Sequence, residues 1–423
     1  MKFYKVLVAM LILTVVSIAD DISLQQCFDI ARKNHPVLKP NASFEKKKEL
    51  ELNNLKTKWL PSSKLNLLAK YQSNVTKLGI SLPSAVIGTS SMPTPDKDSY
   101  SSEIELSQLL FDGGFTSVQK KLIIQENKIS KQSQEVVFME VKSFINQVFH
   151  NHIYLTKQKE ILLAWEEDLK ESKEFLTNLV NQGIKEKIDV VEIEIKLEEL
   201  HQNLHENQIH ADNNFNILKE LVGEDIEGIP VLPKNNNVAH DKKFTNAQSK
   251  QFEYQLDLLD IAGTLPWKNR MPKVFSFGRF GYGKPGINML NDDFDSYYIF
   301  GVKMEWNILD WKYNKRESEK KRMDYNIMKY AEENYNQKTR IELQKYLAKI
   351  EDFNQKIEKD SKIFEMHNEI KNLASVKFKN GVMTTTDYLK YDNNTVRANL
   401  TMELHKVLLN KEITNYLILK GEL

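Results

Sequence analysis

Two periodicities divide the chain. Leu65, Leu67, Ala69 and Tyr71 recur at every second position, and Tyr100, Ile104 and Leu106 alternate with Ser101, Glu103, Glu105 and Ser107. A period of two predicts strands with one apolar face. Later, a strand is expected over Val274–Tyr282, and Tyr298, Phe300, Val302, Met304 and Trp306 alternate with Ile299, Gly301, Lys303, Glu305 and Asn307. Elsewhere the period is helical. Residues 115–182 and 311–380 contain neither Gly nor Pro, so each stretch can run as one helix of roughly 100 Å at about 1.5 Å per residue. After Asp189, Ile193, Leu197, Leu200, Leu204, Ala211, Leu218 and Leu221 recur in heptad-like steps interrupted by Asn207 and Asn214. This is the pattern of a coiled-coil seam with polar interruptions. Leu24–Leu60 is helical in character, broken by Pro36 and Pro40.

The same order of elements occurs twice. Gly183 and Gly381, Asp189 and Asp387, and Asp112 and Asp310 are each 198 positions apart (381 − 183, 387 − 189, 310 − 112). A shared offset over so long a span predicts a duplicated structural unit. The first copy is expected over 20–222, with strands at about 64–72 and 100–110 and long helices over 114–182 and 189–222. The second is expected over 241–423, with strands at about 273–282 and 297–308 and helices over 311–380 and 387–420. A Gly-, Pro- and Asn-rich linker over 223–240 joins them.

Each copy supplies a single hairpin, and an isolated hairpin is marginal in water. Four strands cannot close around their own apolar face. Lipid would satisfy that face if several chains pooled their strands into a closed barrel. Tyr71, Tyr100, Tyr282, Tyr297, Tyr298, Trp306 and Trp311 then suit the interfacial girdles. Glu103, Glu105, Lys303 and Glu305, on the polar face, would line the lumen.

Composition narrows the choice. Lys plus Arg is 59 against 58 Asp plus Glu, which gives no nucleic-acid surface. A mean hydropathy of −0.49 is too polar for a bundle of membrane helices. Lys2 and Lys5 precede an apolar run over Val6–Val16, and Ser17-Ile18-Ala19 supplies small residues for cleavage, so 1–19 reads as a secretory signal peptide. An uncleaved anchor is the alternative, but the run is short against the roughly 20 residues a bilayer needs. The single cysteine, Cys27, cannot form an intramolecular disulfide and reads as a buried packing residue.

Candidate chemistry is sparse. His201 and His205 are spaced for one helix face and are weak metal-ligand candidates; a solvated face is the simpler reading, as it is for His150 and His152. Gly281-Tyr-Gly-Lys-Pro-Gly286 matches a dinucleotide fingerprint, but Pro285 and Asn291-Asp292-Asp293 lead to another strand rather than a helix. It reads as a surface hairpin loop. No Ser-His-Asp constellation stands out, so the chain is not read as an enzyme and no cofactor is expected.

Three motifs carry a resemblance: Leu106-Ser-Gln-Leu-Leu-Phe-Asp-Gly-Gly114, Gly301-Val-Lys-Met-Glu-Trp-Asn-Ile-Leu-Asp310 and Val376-Lys-Phe-Lys-Asn-Gly-Val-Met-Thr-Thr-Thr-Asp-Tyr-Leu389. Their order behind a signal peptide resembles the TolC family of outer-membrane efflux proteins, over nearly the whole mature chain. The resemblance implies a mainly α fold with a β-barrel part, built from two repeats, each a long α-helical coiled-coil hairpin plus a β-hairpin. It implies a homotrimer whose strands form one 12-stranded transmembrane barrel and whose helices form a periplasmic tunnel. It also implies a location in the outer membrane of a Gram-negative bacterium, in contact with its lipid. The implied partners are a periplasmic adaptor (membrane fusion protein) and an inner-membrane transporter, in a tripartite efflux or type I secretion system that exports drugs, metals or other cargo.

In that family the two Gly-x5-Asp turns constrict the periplasmic tip. The resemblance places Gly183, Lys185, Asp189, Gly381 and Asp387 there. Phe378 stands where a gate tyrosine often occurs, and Lys390 where some relatives are acidic. Met383 replaces the basic residue of the second turn, so Lys185 or Lys187 paired with Asp387 is the expected latch. Both aspartates also read as helix N-caps, Asp189 with Glu192 as a capping box. Gly183 and Gly381 read as left-handed helix ends. The alternatives are a duct specific for heavy metals, a periplasmic coiled-coil adaptor without a pore, and a soluble metal-binding helical protein.

Overall fold

In the computed structural model, residues 21–423 are described apart from 76–95, 224–225, 227, 229, 233–242 and 290. The expected signal peptide and most of the expected linker lie outside the described residues. The elements are α1 (Leu24–Asn34), a 3-10 turn (Pro36–Leu38), α2 (Pro40–Thr57), β1 (Ser62–Tyr71), β2 (Asp98–Phe111), α3 (Phe115–Asn181), α4 (Lys187–Val222), α5 (Ala247–Arg270), β3 (Lys273–Lys284), β4 (Asp295–Glu305), α6 (Tyr313–Lys379) and α7 (Thr385–Lys420). They fall into two compact units. One comprises residues up to Pro40, Gln132–Lys250 and Asn334–Leu423; the other comprises Asn41–Lys131 and Gln251–Glu333.

The first unit is helical and holds three apolar clusters. α1 enters through a capping box, Ser23 with Gln26, and buries Leu24, Cys27, Phe28 and Ala31 against Phe138, Ile145 and Phe149 of α3, Leu218 and Val222 of α4, and Val407 and Ile418 of α7. Burial pushes the Cys27 thiol up to about 12, so this cysteine is an inert packing residue. A second cluster joins Leu162, Trp165, Leu169 and Leu176 of α3 to Ile193, Leu197 and Leu200 of α4 and to Phe378 and Tyr388. A third joins Leu343 and Ile350 of α6 to Leu409, Ile413 and Tyr416 of α7. Asn207 sits in the α3–α4 seam, where its amide N–H donates to Gln158 at 3.0 Å while its Oδ1 is buried without a partner.

The second unit is built on one antiparallel sheet in the order β1-β2-β3-β4. Each repeat contributes one hairpin, and β2 pairs with β3 to join them. The register aligns the repeats: Leu65, Ile104, Phe280 and Tyr298 lie side by side on one face, and Lys64, Glu105, Arg279 and Ile299 on the other. A bulge between Leu109 and Phe111 shifts the β2–β3 register before its last pair, Phe111 with Val274. Beside the sheet, the first part of α3 lies between α2 and α5. Asn127 donates to the Phe44 carbonyl at 2.8 Å and Gln125 to the Tyr254 carbonyl at 3.0 Å.

The dinucleotide-like glycines need correcting. β3 runs to Lys284, so Gly281 and Gly283 are strand residues and only Pro285 and Gly286 lie in the loop. A Cβ at Gly281 would sit 2.2 Å from the Tyr297 ring. The glycine is there so that an aromatic ring of the neighbouring strand can lie across it.

Candidate functional site

The two Gly-x5-Asp turns lie together within the first unit. Gly183 and Gly381 adopt φ of +74° and +73°, and a Cβ on either would meet nothing within 4 Å. The dihedral, not crowding, demands glycine. Each turn closes as a Schellman motif, with Ile184 donating to the Leu179 carbonyl and Val382 to the Lys377 carbonyl, both at 2.9 Å.

The capping assignment is corrected here. Neither aspartate is the N-cap. Glu186 caps α4 and Thr384 caps α7, which places Asp189 and Asp387 three residues further on. Asp189 accepts from the Glu186 backbone at 3.4 Å. Asp387 donates its backbone N–H to Thr384 Oγ1 at 3.1 Å and accepts the Thr384 hydroxyl at 2.7 Å. A carboxylate in the first turn also complements the helix dipole.

The expected latch pair is not formed within the chain. Lys185 pairs within its own turn, with Asp189 at 3.8 Å, and no ion pair joins Lys185 or Lys187 to Asp387 among the described residues. The two repeats are tied instead by threonines: Thr385 donates to Asp189 Oδ1 at 2.5 Å, and Thr386 to Glu192 at 2.9 Å. Phe378 is 2% exposed, stacked on Tyr388 at 4.5 Å and 7° and tilted against Phe175 at 6.1 Å. It supports the turn from inside and cannot present a face to a passage. Lys390 is exposed.

Next to this stack lies a charged cluster absent from the sequence reading. Asp392 is fully buried. It accepts Trp165 Nε1 at 2.6 Å and faces Lys371 Nζ at 2.9 Å; Lys371 also reaches Asp168 at 2.6 Å. Burial works against the Lys371 ammonium, but the two carboxylates more than reverse this and hold its pKa above the usual lysine range. Burial, reinforced by Asp392, raises the Tyr388 phenol.

In the second unit, Glu103, Glu105, Lys303 and Glu305 share one face of the sheet, as the strand pairing requires. Lys303 pairs with Glu305 at 2.5 Å. Tyr297 crosses Gly281 to donate to Glu103 at 3.2 Å. Arg279, opposite Glu105 in the register, joins this face. Its single charge in an aromatic and glycine-rich run was the available signal. The other face exposes Leu65, Leu67, Tyr71, Ile104, Tyr282, Tyr298, Phe300, Val302 and Met304, with Tyr298 70% accessible.

The histidines do not converge. His201 meets Glu166 at 3.0 Å and His205 is exposed. His150 is buried against the Asn146 carbonyl, whereas His152 contacts the Ala211 carbonyl. Among the described residues no group of three His, Cys, Asp or Glu side chains could hold a metal ion. Nor, among those residues, is any helix long and apolar enough to cross a membrane.

No protein-family model matches the sequence, and no curated protein matches it either. Solved structures do. A membrane protein from Pseudomonas aeruginosa superposes with a TM-score of 0.70 at 14% identity, covering 95% of this chain and 91% of that one. The outer membrane protein VceC of Vibrio cholerae gives 0.69 at 13% identity, over 94% and 96% of the two chains. The CmeC outer membrane channel of Campylobacter jejuni gives 0.67 at 15% identity, over 94% and 85%. The chain, with its helical hairpins and a four-stranded sheet to which each repeat gives half, has the fold of the TolC-family outer-membrane channels.

Proposed function

We propose that the chain is the outer-membrane duct of a tripartite export system in a Gram-negative bacterium. The observation that carries this reading is the sheet. One face is apolar and open, the other charged, and β1 and β4 are its unpaired edges among the described residues. Open edges and an unsatisfied apolar face are unstable in water and are both removed by closure into a lipid-embedded barrel. Three copies, joined β4 to β1, make twelve strands. Glu103, Glu105, Arg279, Lys303 and Glu305 then line the lumen and set its ion preference. The long helices form the tunnel, and the turns around Gly183, Lys185, Asp189, Gly381, Asp387 and Lys390 form its constriction. The duct is passive: a periplasmic adaptor and an inner-membrane transporter deliver and select the cargo. A pore-free adaptor fits less well, because one sheet here draws an equivalent hairpin from each repeat.

The test is reconstitution of the purified full-length chain in planar bilayers, with chemical cross-linking to count subunits. Discrete conductance from a cross-linked trimer is the expected result. A detergent-free soluble monomer without conductance would overturn the proposal.

A further inference from the structure

Trp311 and Lys312 are the non-glycine residues with positive φ among the described residues, at 49° and 64°. The offset of 198 maps them onto Gly113 and Gly114, which take 68° and 85°. Left-handed backbone is unfavourable for any residue with a Cβ, and at Trp311 packing does not compensate, because the side chain is 77% exposed. The turn is held by its backbone. Asp310 accepts from Lys312 N at 3.1 Å and Asn314 N at 3.3 Å, and Arg316 donates to the Trp311 carbonyl at 3.0 Å.

The ring is not alone. Trp306, Ile308, Leu309 and Tyr313 are also exposed. They follow β4 in the chain, within nine residues of Met304 on the exposed apolar face of the sheet. Lys312, Lys315 and Arg316 stand exposed among them. The β1–β2 side of the sheet, at the same end of the strands, repeats this chemistry. Trp59, Leu60, Leu110 and Phe111 are exposed there. Beside them Leu52, Leu55, Trp59 and Phe111 line a cavity of about 630 Å³ whose charged lining is Lys56, Lys120, Glu49 and Asp112.

We propose that this helix-side rim docks anionic glycerophospholipid. The aromatic and aliphatic side chains enter the acyl region, and Lys312, Lys315 and Arg316, with Lys56 and Lys120, hold the headgroup phosphates. The reading rests on the proposal that the sheet lies in a bilayer. Two observations select the occupant. The exposed apolar residues stand at the end of the strands whose apolar face is open, where an interfacial belt is expected. The cations interleaved with it complement an anionic leaflet, where each exposed Lys or Arg adds about fivefold to binding at low salt.

The test uses the full-length chain in vesicles of phosphatidylcholine, alone or mixed with phosphatidylglycerol, each lipid supplied in turn with brominated chains. Tryptophan quenching is compared between the wild type and Trp311→Phe, to isolate the Trp311 signal. Brominated phosphatidylglycerol is expected to quench Trp311 more strongly than brominated phosphatidylcholine. The triple variant Lys312→Gln/Lys315→Gln/Arg316→Gln should lose most of that preference. Trp311→Gly supplies a second readout: relief of the left-handed strain should raise its urea midpoint in detergent while lipid affinity falls, whereas a purely structural Trp311 would not separate the two. Equal quenching by both lipids overturns the proposal, and so does a Trp311 that neither lipid quenches because another copy covers it. If conductance persists in either case, the duct reading stands and only the lipid site fails; if the chain does not enter vesicles at all, both fall.

Discussion

Asp392→Asn removes a negative charge from the helical unit without changing the side chain's shape. The buried carboxylate holds Trp165 Nε1 at 2.6 Å and Lys371 Nζ at 2.9 Å. Asparagine can still accept from Trp165, so the loss is the ion pair. Removing one partner of a fully buried pair costs about 3–5 kcal/mol. Lys371 is partly relieved, because its side chain is 19% exposed and keeps Asp168, which is 48% exposed. The expected cost is therefore below that range, about 2–3 kcal/mol. Urea unfolding of the detergent-solubilised full-length chain, followed by helical circular dichroism and tryptophan emission together, reads it as a lower midpoint at unchanged slope. The double variant Asp392→Asn/Lys371→Met removes the unpaired ammonium while the asparagine still accepts from Trp165 and Asp168 stays hydrated; it should recover most of the loss. A midpoint change below about 0.5 kcal/mol for Asp392→Asn would refute the reasoning, since that is the scale of an ordinary surface substitution. A double variant worse than the single would refute it too.

The remaining predictions concern the acid response, the lumen and the turn. Burial, aided by Lys411 and opposed by the Asn146 carbonyl, pushes His150 down to about 4 from 6.5. The unfolded chain therefore takes up a proton that the folded chain refuses, so stability falls as pH drops from about 6.5 to about 4, by up to roughly 3 kcal/mol. Urea midpoints across that window should show the slope, and His150→Leu should flatten it. Gly281→Ala places a Cβ 2.2 Å from the Tyr297 ring and should displace the phenol from Glu103, at an overpacking cost of about 1–3 kcal/mol. Reversal potentials in a salt gradient should then shift toward cations, as they should in Tyr297→Phe; an unchanged potential in both would remove Glu103 from the lumen. Thr385→Val cuts the bond to Asp189 that ties the repeats. Single-channel conductance should rise if the turns constrict the duct, and an unaltered trace would place the constriction elsewhere.

The fold class was legible because its signals are periodic and long. The alternation of Tyr298 to Trp306 is visible without any partner strand, and the absence of Gly and Pro between Phe115 and Asn181 leaves the backbone little alternative to helix. The turn was located by Gly183 and Gly381, whose role follows from backbone sterics alone. Its wiring was not legible. Asp189 and Asp387 look like the caps, but a capping box spans three residues, and Glu186 and Thr384 sit that far upstream. Thr385 and Asp189 meet although 196 positions separate them, and a hydroxyl carries no mark of its acceptor. Phe378 looks like a surface residue of a helix end until Tyr388 and Phe175 enclose it. Trp165, Lys371 and Asp392 come from three different helices, and no pattern within one helix announces their meeting.

The offset of 198 governs backbone conformation even where the residues disagree. Asp112 and Asp310 accept backbone N–H groups two and four positions on, at 2.8 and 2.7 Å in the first copy and 3.1 and 3.3 Å in the second. The first copy fills the intervening left-handed positions with glycine; the second forces Trp311 and Lys312 into the same region, at about 1–2 kcal/mol for each residue. A local preference of that size would ordinarily choose another turn. It is overridden because the turn sets the direction in which a 67-residue helix leaves the sheet, and a small error at its start grows along roughly 100 Å of rise. In the proposed duct, two helices of equal length starting from equivalent strands would have to leave at matching angles to form one wall. The geometry is therefore held in both copies, and the side chains are free to differ only where they face outward, as Trp311 does.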